Sequence, residues 1–231
     1  VPPPKSIQIN SLQDIQSNND QLHPQILEEG TMINMFYHND EWMISTRSNI
    51  GCKNYWKEKT SFKDLFNEVS DNLLESNDLH RDHCYSFVLQ HTKNKIVGPI
   101  HSNCLVLVQE YDLTNHTFID EMTKISSDTI YHVSELNKES VDHYLNNKDL
   151  DYKIKGFTVT YNNKRYSWIN PNYDYVLNLK LNNNHTLLDY IELRQTKKLK
   201  DYLHYFPEHL HLFNEYKQLL YVIKQKLYNY Y

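Results

Sequence analysis

Glycine is scarce in this chain, and its few positions constrain the backbone strongly. Only four glycines occur among the 231 residues, at Gly30, Gly51, Gly98 and Gly156. A residue without a Cβ atom serves where a backbone turns sharply or passes close to another group. Gly30 belongs to the segment Leu27-Glu28-Glu29-Gly30-Thr31, which places two acids before the glycine and a hydroxyl after it. This pattern predicts that the segment lines a binding site.

Four further segments follow in an order that extends the pattern. They are Ile44–Gly51, Ser86–Val97, Ile154–Val159 and Tyr175–Lys180. Together with the first segment they resemble the five sequence boxes of RNA-ligase-like nucleotidyltransferases of the phage and giant-virus type, over residues 20–182. Three of the four glycines lie inside these boxes, and Gly98 directly follows one.

The resemblance implies a nucleotide or RNA site. In the first box of that family a lysine attacks the α-phosphate of a nucleotide, which is covalent catalysis by an amine. The acid two positions later binds the ribose, and the glycine lets the backbone pass close to the ligand. The residues that the resemblance assigns to the site are Glu28, Glu29, Gly30, Thr31, Arg47, Ser48, Phe87, Lys155, Gly156 and Lys180.

The chain departs from the family pattern at the side chains that carry out catalysis and bind metal in that family. Leu27 stands where the box has its lysine, Val88 replaces the third-box glutamate, and Lys155 replaces the fourth-box glutamate that helps to hold a metal. Phosphoryl transfer depends on positioning and on charge neutralisation by metal and cations. We therefore expect a non-catalytic module with no catalytic residue, no resident metal and no cofactor. The alternatives are an active RNA ligase with a displaced lysine, such as Lys53 or Lys155, and a structural subunit of a viral assembly.

A capped mRNA 5′ end is the ligand that we expect first, because a cap is a guanosine joined through phosphates. Glu28 and Glu29 could accept hydrogen bonds from guanine, and a methylated, positively charged base gains from aromatic stacking. Trp56 in a polar loop and Trp168 at the end of a hairpin are the candidate stacking residues, whereas Trp42 alternates with core residues.

A second possible chemistry lies in the segment His80-Arg81-Asp82-His83-Cys84. Imidazole and thiolate groups bind zinc. The spacing matches no closed set of four ligands, and no fourth ligand is visible nearby. A solvated loop is therefore the favoured interpretation, and no metal site is predicted.

Composition limits the class of protein. No run of about 18 apolar residues is present, so no transmembrane helix is expected. The start, Val1-Pro2-Pro3-Pro4, lacks the order of a signal peptide, and three widely spaced cysteines indicate a reducing cytosol. A net charge of −5 argues against a general nucleic-acid coat. The absence of alanine and the excess of lysine, asparagine and tyrosine follow AT-rich codons, as in giant DNA viruses and some protists. A host cytoplasm or viral factory is the expected location.

Periodicity predicts an α+β fold, and the resemblance implies an antiparallel-sheet nucleotidyltransferase core of ATP-grasp-like ligase type with an all-helical C-terminal extension. The expected divisions are an irregular arm over 1–24, the ligase-like domain over 25–184 and a helical subdomain over 185–231. Hairpins are predicted over residues 31–46 and 156–169. Further strands are predicted at 85–89, 95–97, 105–111 and 175–181, and helices from Ser61 as N-cap and over 134–145, 186–194 and 198–206.

The last predicted helix, Pro207–Tyr231, carries an apolar stripe at spacings of three and four. Its members are Phe213, Tyr216, Leu220, Ile223, Leu227 and Tyr230. Packing against the preceding helices is the favoured interpretation. Contact with a protein partner is the alternative.

Overall fold

The computed structural model describes residues 2–15, 22–55, 60–70, 73, 78–162, 164–181 and 187–230. The strands are β1 Ile7–Gln8, β2 Gln25–Ile26, β3 Thr31–His38, β4 Glu41–Ser45, β5 His83–Gln90, β6 Cys104–Asp112, β7 Thr117–Ile119, β8 Ile130–His132, β9 Gly156–Tyr161 and β10 Lys164–Ile169. The α-helices are α1 Phe62–Asn67, α2 Lys138–Asn146, α3 Pro171–Leu179, α4 Leu187–Gln195, α5 Leu199–Tyr205 and α6 Leu210–Tyr230. These elements form two compact units, Val1–Tyr173 and Asp174–Tyr231.

The larger sheet of the first unit has the order β4-β3-β5-β6-β7, with β8 pairing parallel to β6. The predicted first hairpin is confirmed as β3 and β4, joined at Asn39 and Asp40, whose φ angles are 51° and 64°. Asparagine and aspartate tolerate this left-handed conformation better than most residues. The predicted central strand is confirmed as β6, whose neighbours on the two sides are β5 and β7.

The smaller sheet has the order β1-β10-β9-β2. Its centre is the predicted second hairpin, with β9 and β10 at the predicted bounds. The expectation of an irregular N-terminal arm is wrong in part, because Ile7–Gln8 pairs parallel with β10 and Ile9 is buried. The apolar Ile9 and Ile15 join the core beneath this sheet, so part of the arm is tied down by burial.

The two faces of β5 lie in different cores. Tyr85, Phe87 and Leu89 pack with α1 in the main core, whereas Val88 packs in a second cluster with Val106. Successive side chains of a strand point to opposite faces, so this division follows from the backbone. The α1 helix begins at the predicted N-cap, with the Ser61 Oγ accepting a hydrogen bond from the Asp64 N–H at 3.2 Å.

Two predicted strands are wrong. Residues 95–97 follow a 3₁₀ helix, Thr92–Asn94, and form no strand. Residues 175–181 fall mostly within α3. Pro171 occupies the first turn of that helix, where a missing N–H is tolerated, and the Asn170 side chain accepts a hydrogen bond from the Asn172 N–H at 3.0 Å. Tyr173, Val176 and Leu179 are buried at a spacing of three, which favours a helix. The β-branched and aromatic composition of the segment favours a strand, and here the spacing decided the structure.

The second unit is helical and begins at Asp174, whereas the helical subdomain expected from the sequence covers residues 185–231. Tyr202 and Phe213 stack with ring centroids 5.4 Å apart, and Tyr190 lies 5.4 Å from Phe213. These aromatic rings join α4, α5 and the first turns of α6. Pro207 lies at the start of a 3₁₀ turn, Pro207–His209, that leads into α6.

The stripe of α6 packs only at its beginning. Phe213 is 2 % exposed, whereas Ile223 is 41 % and Leu227 58 % exposed. The expectation that the whole stripe packs against the preceding helices is therefore wrong for its second half. Among the described helices, none combines the length and apolar character needed to cross a bilayer.

Candidate functional site

The segment Leu27–Thr31 connects the two sheets of the first unit. It leaves β2 of the smaller sheet, where the Leu27 N–H donates to the Gly156 carbonyl at 3.0 Å, and enters β3 of the larger sheet at Thr31. Polar side chains on such a connection lie where both sheets can present further groups. The local geometry thus brings the first box close to the start of β9.

Gly30 makes a close approach, but to protein. Its φ is +152°, and a Cβ atom there would lie 2.4 Å from the Leu89 carbonyl oxygen. Gly156 is similar, with a φ of +142° and a virtual Cβ only 2.0 Å from the Trp168 carbonyl. Strands β5 and β10 occupy the space beside these glycines, so strand packing alone is a sufficient reason for both residues. That Gly30 lets the backbone pass close to a ligand stays a prediction.

Glu29 and Thr31 bind the segment of the third box. One carboxylate oxygen of Glu29 accepts hydrogen bonds from the N–H groups of Val97 at 2.8 Å and Gly98 at 3.2 Å. The Thr31 hydroxyl accepts a hydrogen bond from the Asn94 side-chain amide at 2.8 Å. The Val97 amide, which the predicted strand 95–97 would have paired with a neighbouring strand, thus pairs with a side chain. The bonds from Val97 and Gly98 also commit most of the Glu29 carboxylate to the protein itself.

Glu28 and Lys155 form the polar centre of the candidate site. The Glu28 carboxylate accepts a hydrogen bond from the Gln90 side chain at 2.9 Å, and the Lys155 ammonium donates to the Glu28 backbone carbonyl at 3.1 Å. Burial raises the pKa of Glu28 despite the opposing effects of Gln90 and Lys155. Burial likewise lowers the pKa of Lys155, although Glu29 and Glu28 oppose this shift. Desolvation thus favours the neutral form of both groups.

A cavity of about 440 Å³ opens beside this pair. Its wall includes residues of the first and fourth boxes together with groups from two loops. The lining residues that bear on ligand binding are Leu27, Glu28, Glu29, Gln90, His101, Ser102, Tyr144, Lys153 and Lys155. The volume suits a small ligand such as a nucleotide. Gln90 and Tyr144 are not among the residues predicted from the sequence. Gln90 lies within the third segment, Ser86–Val97, but is not one of its characteristic residues, and Tyr144 belongs to α2, outside every box. Only the fold brings the two side chains to this cavity.

A second cavity of about 340 Å³ lies between the two sheets. Its wall includes Arg165 of β10 and Gln109 of β6. The Arg165 Nε donates to the Thr158 hydroxyl at 2.9 Å, and burial lowers the pKa of this guanidinium. The buried Gln109 side-chain nitrogen has no hydrogen-bond partner among the described residues. This cleft therefore adds a donor and a cation near the candidate site, on the inner faces of both sheets.

Two predicted aromatic site residues are buried in cores. Phe87 is fully buried in the main core, on the opposite face of β5 from Val88. Trp168 is 8 % exposed and stacks on Phe157 with centroids 5.6 Å apart. Strand alternation turns both rings inward. In this structure the Trp168 ring is therefore not presented as a stacking surface for a base, and the Phe87 ring, predicted as a site residue, does not face a cavity. Trp56 lies outside the described residues.

Three predicted polar residues are not among the described residues that line the cavity beside the Glu28–Lys155 pair. Arg47 and Ser48 are exposed in a bend after β4. Lys180 follows α3 in the second unit, where its ammonium lies 5.3 Å from the centroid of the Phe206 ring. The predicted strand over residues 175–181 is mostly helical, so Lys180 follows a helix and is not held in a sheet.

These features define the fold class. Antiparallel sheets joined by the Leu27–Thr31 segment, with helices at the C-terminal end, form the fold of ligase-type nucleotidyltransferases. The structure is similar to a protein of Aquifex aeolicus assigned as an ATP-dependent DNA ligase, with a TM-score of 0.53 and 14 % sequence identity. The match covers 93 % of this chain and 63 % of that one. The chain thus spans less than two thirds of the length of that protein.

More distant similarity extends to RNA ligases. The Naegleria gruberi RNA ligase with PPi matches with a TM-score of 0.45 at 9 % identity, over 66 % of this chain and 50 % of that one. A mutant of the same ligase with ATP and Mn matches with a TM-score of 0.46 and the same identity and coverage. No protein-family model and no curated protein sequence matches this chain. The similarity therefore concerns the fold alone.

Proposed function

We propose that this chain is a ligase-like module that binds a nucleotide or an RNA end in the Glu28–Lys155 cavity and does not transfer a nucleotidyl group. The observation that carries the proposal is that Leu27 lines this cavity at the position where the first box has its lysine. A leucine side chain has no group that attacks phosphorus. Loss of the nucleophile turns a pocket that reacts with a nucleotide into one that holds it.

Lys155 supports binding rather than metal-assisted transfer. Its ammonium is anchored by the Glu28 carbonyl at the fourth-box position, where the family has a metal-binding carboxylate. An ammonium group has only donors and cannot ligate a cation, so this position does not fit a catalytic metal. A lysine can instead pair with a phosphate as a point charge. The proposed roles are phosphate binding for Lys155 and contact with the sugar or base for Glu28.

Incubation with α-³²P-labelled ATP or GTP and magnesium tests the proposal. We expect no acid-labile covalent adduct, while equilibrium dialysis with the same nucleotides detects binding. Lys155→Ala should weaken that binding, and Lys5→Ala, at a distant position in the chain, serves as the matched control. A stoichiometric adduct on the wild-type protein would falsify the non-catalytic function.

An active enzyme with a displaced lysine is the second candidate, and one observation favours it. Burial lowers the pKa of Lys155, and a less protonated amine is a better nucleophile. In that case a labelled adduct forms and is abolished by Lys155→Arg. Lys53, the other displaced lysine considered, is exposed after the bend at 47–48. If Lys53 were the nucleophile, Lys53→Arg would abolish the labelled adduct and Lys155→Arg would not.

The finer proposal concerns the ligand, for which a capped mRNA 5′ end in viral translation or RNA processing remains the first choice. Glu28 and Tyr144 support it, because a carboxylate and an aromatic ring line the same cavity. A carboxylate accepts from the guanine edge, and a ring attracts a methylated, positively charged base by about 1–2 kcal/mol. Fluorescence titration should show roughly tenfold preference for a methylated cap dinucleotide over its uncapped form, equivalent to about 1.4 kcal/mol. Equal affinities for the two dinucleotides would contradict cap recognition and support general nucleotide binding.

A further inference from the structure

Three potential metal ligands meet at the end of the larger sheet that is remote from the cavity. Ligand atoms of Asp82, His83 and Asp112 all lie within 4.8 Å of one another. His83 begins β5 and Asp112 ends β6, and the two residues are direct partners in the antiparallel register. The sequence alone favours a solvated loop over residues 80–84, since it shows no further ligand nearby. The strand pairing supplies it from a position far along the chain.

A buried carboxylate fixes the orientation of the imidazole. Glu110 is fully buried, and its carboxylate lies 2.5 Å from His83 Nδ1. The Thr123 N–H and hydroxyl also donate to Glu110, at 2.5 and 2.7 Å. A carboxylate is an acceptor, so it places a proton on Nδ1 of the neutral ring and leaves the Nε2 lone pair for another ligand. A histidine held in this way by a carboxylate is the usual arrangement in metal sites.

The two aspartates provide complementary oxygens. Asp112 is buried, and its Oδ1 accepts from the N–H groups of Thr114 at 2.7 Å and Asn115 at 2.9 Å. Its Oδ2 accepts a single bond, from the Asn115 side chain at 2.6 Å, and so retains acceptor capacity. Asp82 has a side chain that is 60 % exposed and lies 4.0 Å from His83 Nε2. Asp112 is therefore held rigidly, whereas Asp82 can rotate towards an ion entering from solvent.

We propose that Asp82, His83 Nε2 and Asp112 bind a divalent transition-metal ion of the zinc class. One imidazole with two carboxylates favours such an ion over magnesium or calcium, which take oxygen ligands. Three protein ligands leave a position for water, and metal–ligand distances of about 2.0–2.2 Å require a small closure by the exposed Asp82. The ion would join the start of β5 to the end of β6. This site stands independently of the proposed nucleotide function, because Gln90 of the cavity lies at the other end of β5, about 23 Å along the strand.

Titration of the chelator-treated full chain with CoCl₂ and ZnCl₂ tests the site. We expect one Co²⁺ per chain, with visible d–d absorption that Zn²⁺ displaces. Asp82→Asn and His83→Ala should each weaken the affinity by roughly tenfold or more. The matched controls are Glu41→Gln and His143→Ala, which change exposed residues of β4 and α2 and should bind like the wild type.

The outcomes separate a built site from adventitious binding. Because Asp82 is exposed, Asp82→Asn should leave the circular dichroism spectrum unchanged, so weaker binding by this variant cannot be attributed to unfolding. Glu110→Gln should shift the Co²⁺ absorption maximum and lower the affinity, as expected for a positioning residue that acts through His83. No binding by the wild type, or equal affinity of the wild type, Asp82→Asn and His83→Ala, would overturn the proposal.

Discussion

At the scale of single residues, Gly30 and Gly156 beside the candidate site are constrained by neighbouring backbone. A Cβ atom at position 156 would lie 2.0 Å from the Trp168 carbonyl, whereas at Gly98 the nearest atom, Lys153 Cβ, is 3.9 Å away. The Gly156 φ of +142° adds strain for any other residue. Gly156→Ala should therefore lower the free energy of unfolding by more than about 2 kcal/mol, and Gly98→Ala by much less.

Urea denaturation of both variants measures this difference. Gly98 is the matched control because it adjoins the same cavity but has room for a methyl group. Equal stability of the two variants would contradict this prediction. It would mean that β9 and β10 can move apart at Trp168 without a measurable loss of stability.

Glu28 should make stability depend on pH. Its pKa is raised above the ordinary value of 4.5 by burial, so above that pH the native state binds more protons than the unfolded chain. Stability contributed by this group is therefore complete below pH 4.5 and declines as pH rises through the native pKa. Glu28→Gln removes the titrating group and should flatten the profile and raise the stability at neutral pH.

Urea midpoints measured between pH 4 and 8 check this prediction. Glu41→Gln changes an exposed carboxylate on β4 and should leave the profile of the wild type unaltered. If Glu28→Gln instead destabilises the protein at neutral pH, its ionised carboxylate is a net favourable partner of Lys155.

At the scale of elements, α6 divides into a packed and an exposed part. Phe213 stacks against Tyr202 and Tyr190, so Phe213→Ala should cost about 3–5 kcal/mol. Ile223→Ser and Leu227→Ser together should change the free energy of unfolding by about 0.5 kcal/mol at most, because both side chains are exposed.

Thermal unfolding at several protein concentrations checks the second half of this prediction. A large, concentration-dependent loss in the double variant would reveal that the exposed stripe binds a second copy. Loss at every concentration would place the stripe in a core of the chain itself.

At the scale of the whole molecule, charge limits binding to nucleic acid. The net charge is −5, and the candidate cavity combines Lys153 and Lys155 with Glu28 and Glu29. Neutralisation of many phosphates by cations is what produces non-specific affinity. A random 20-nucleotide RNA should therefore bind no tighter than about 0.1 mM at physiological salt, while mononucleotide binding in the cavity persists.

Fluorescence anisotropy with a labelled RNA measures the first affinity, and dialysis measures the second. Micromolar binding with a steep salt dependence would indicate a basic surface that the cavity does not include. In that case the basic residues of the second unit are the first to change, namely Arg194, Lys197, Lys198 and Lys200.

Local patterns along the chain determined much of the architecture. Alternation of apolar and polar residues, with Asn39 and Asp40 at the turn, is sufficient to predict the first hairpin. Ser61 as N-cap is sufficient to predict the start of α1. The order of the boxes predicts a ligase-type fold, and the structural similarity supports that prediction. These signals act over a few residues and need no knowledge of distant partners.

Only the tertiary structure decided which groups remain available to a ligand. Glu29 pairs with the Val97 and Gly98 amides, Trp168 turns into a core, and His83 meets Asp112 across two strands. Each outcome depends on which distant group satisfies a buried polar atom or fills a space, and sequence spacing does not contain that information. The chain by itself therefore determined most of the elements and the type of fold, whereas long-range pairing decided residues 95–97 and the groups of the candidate site.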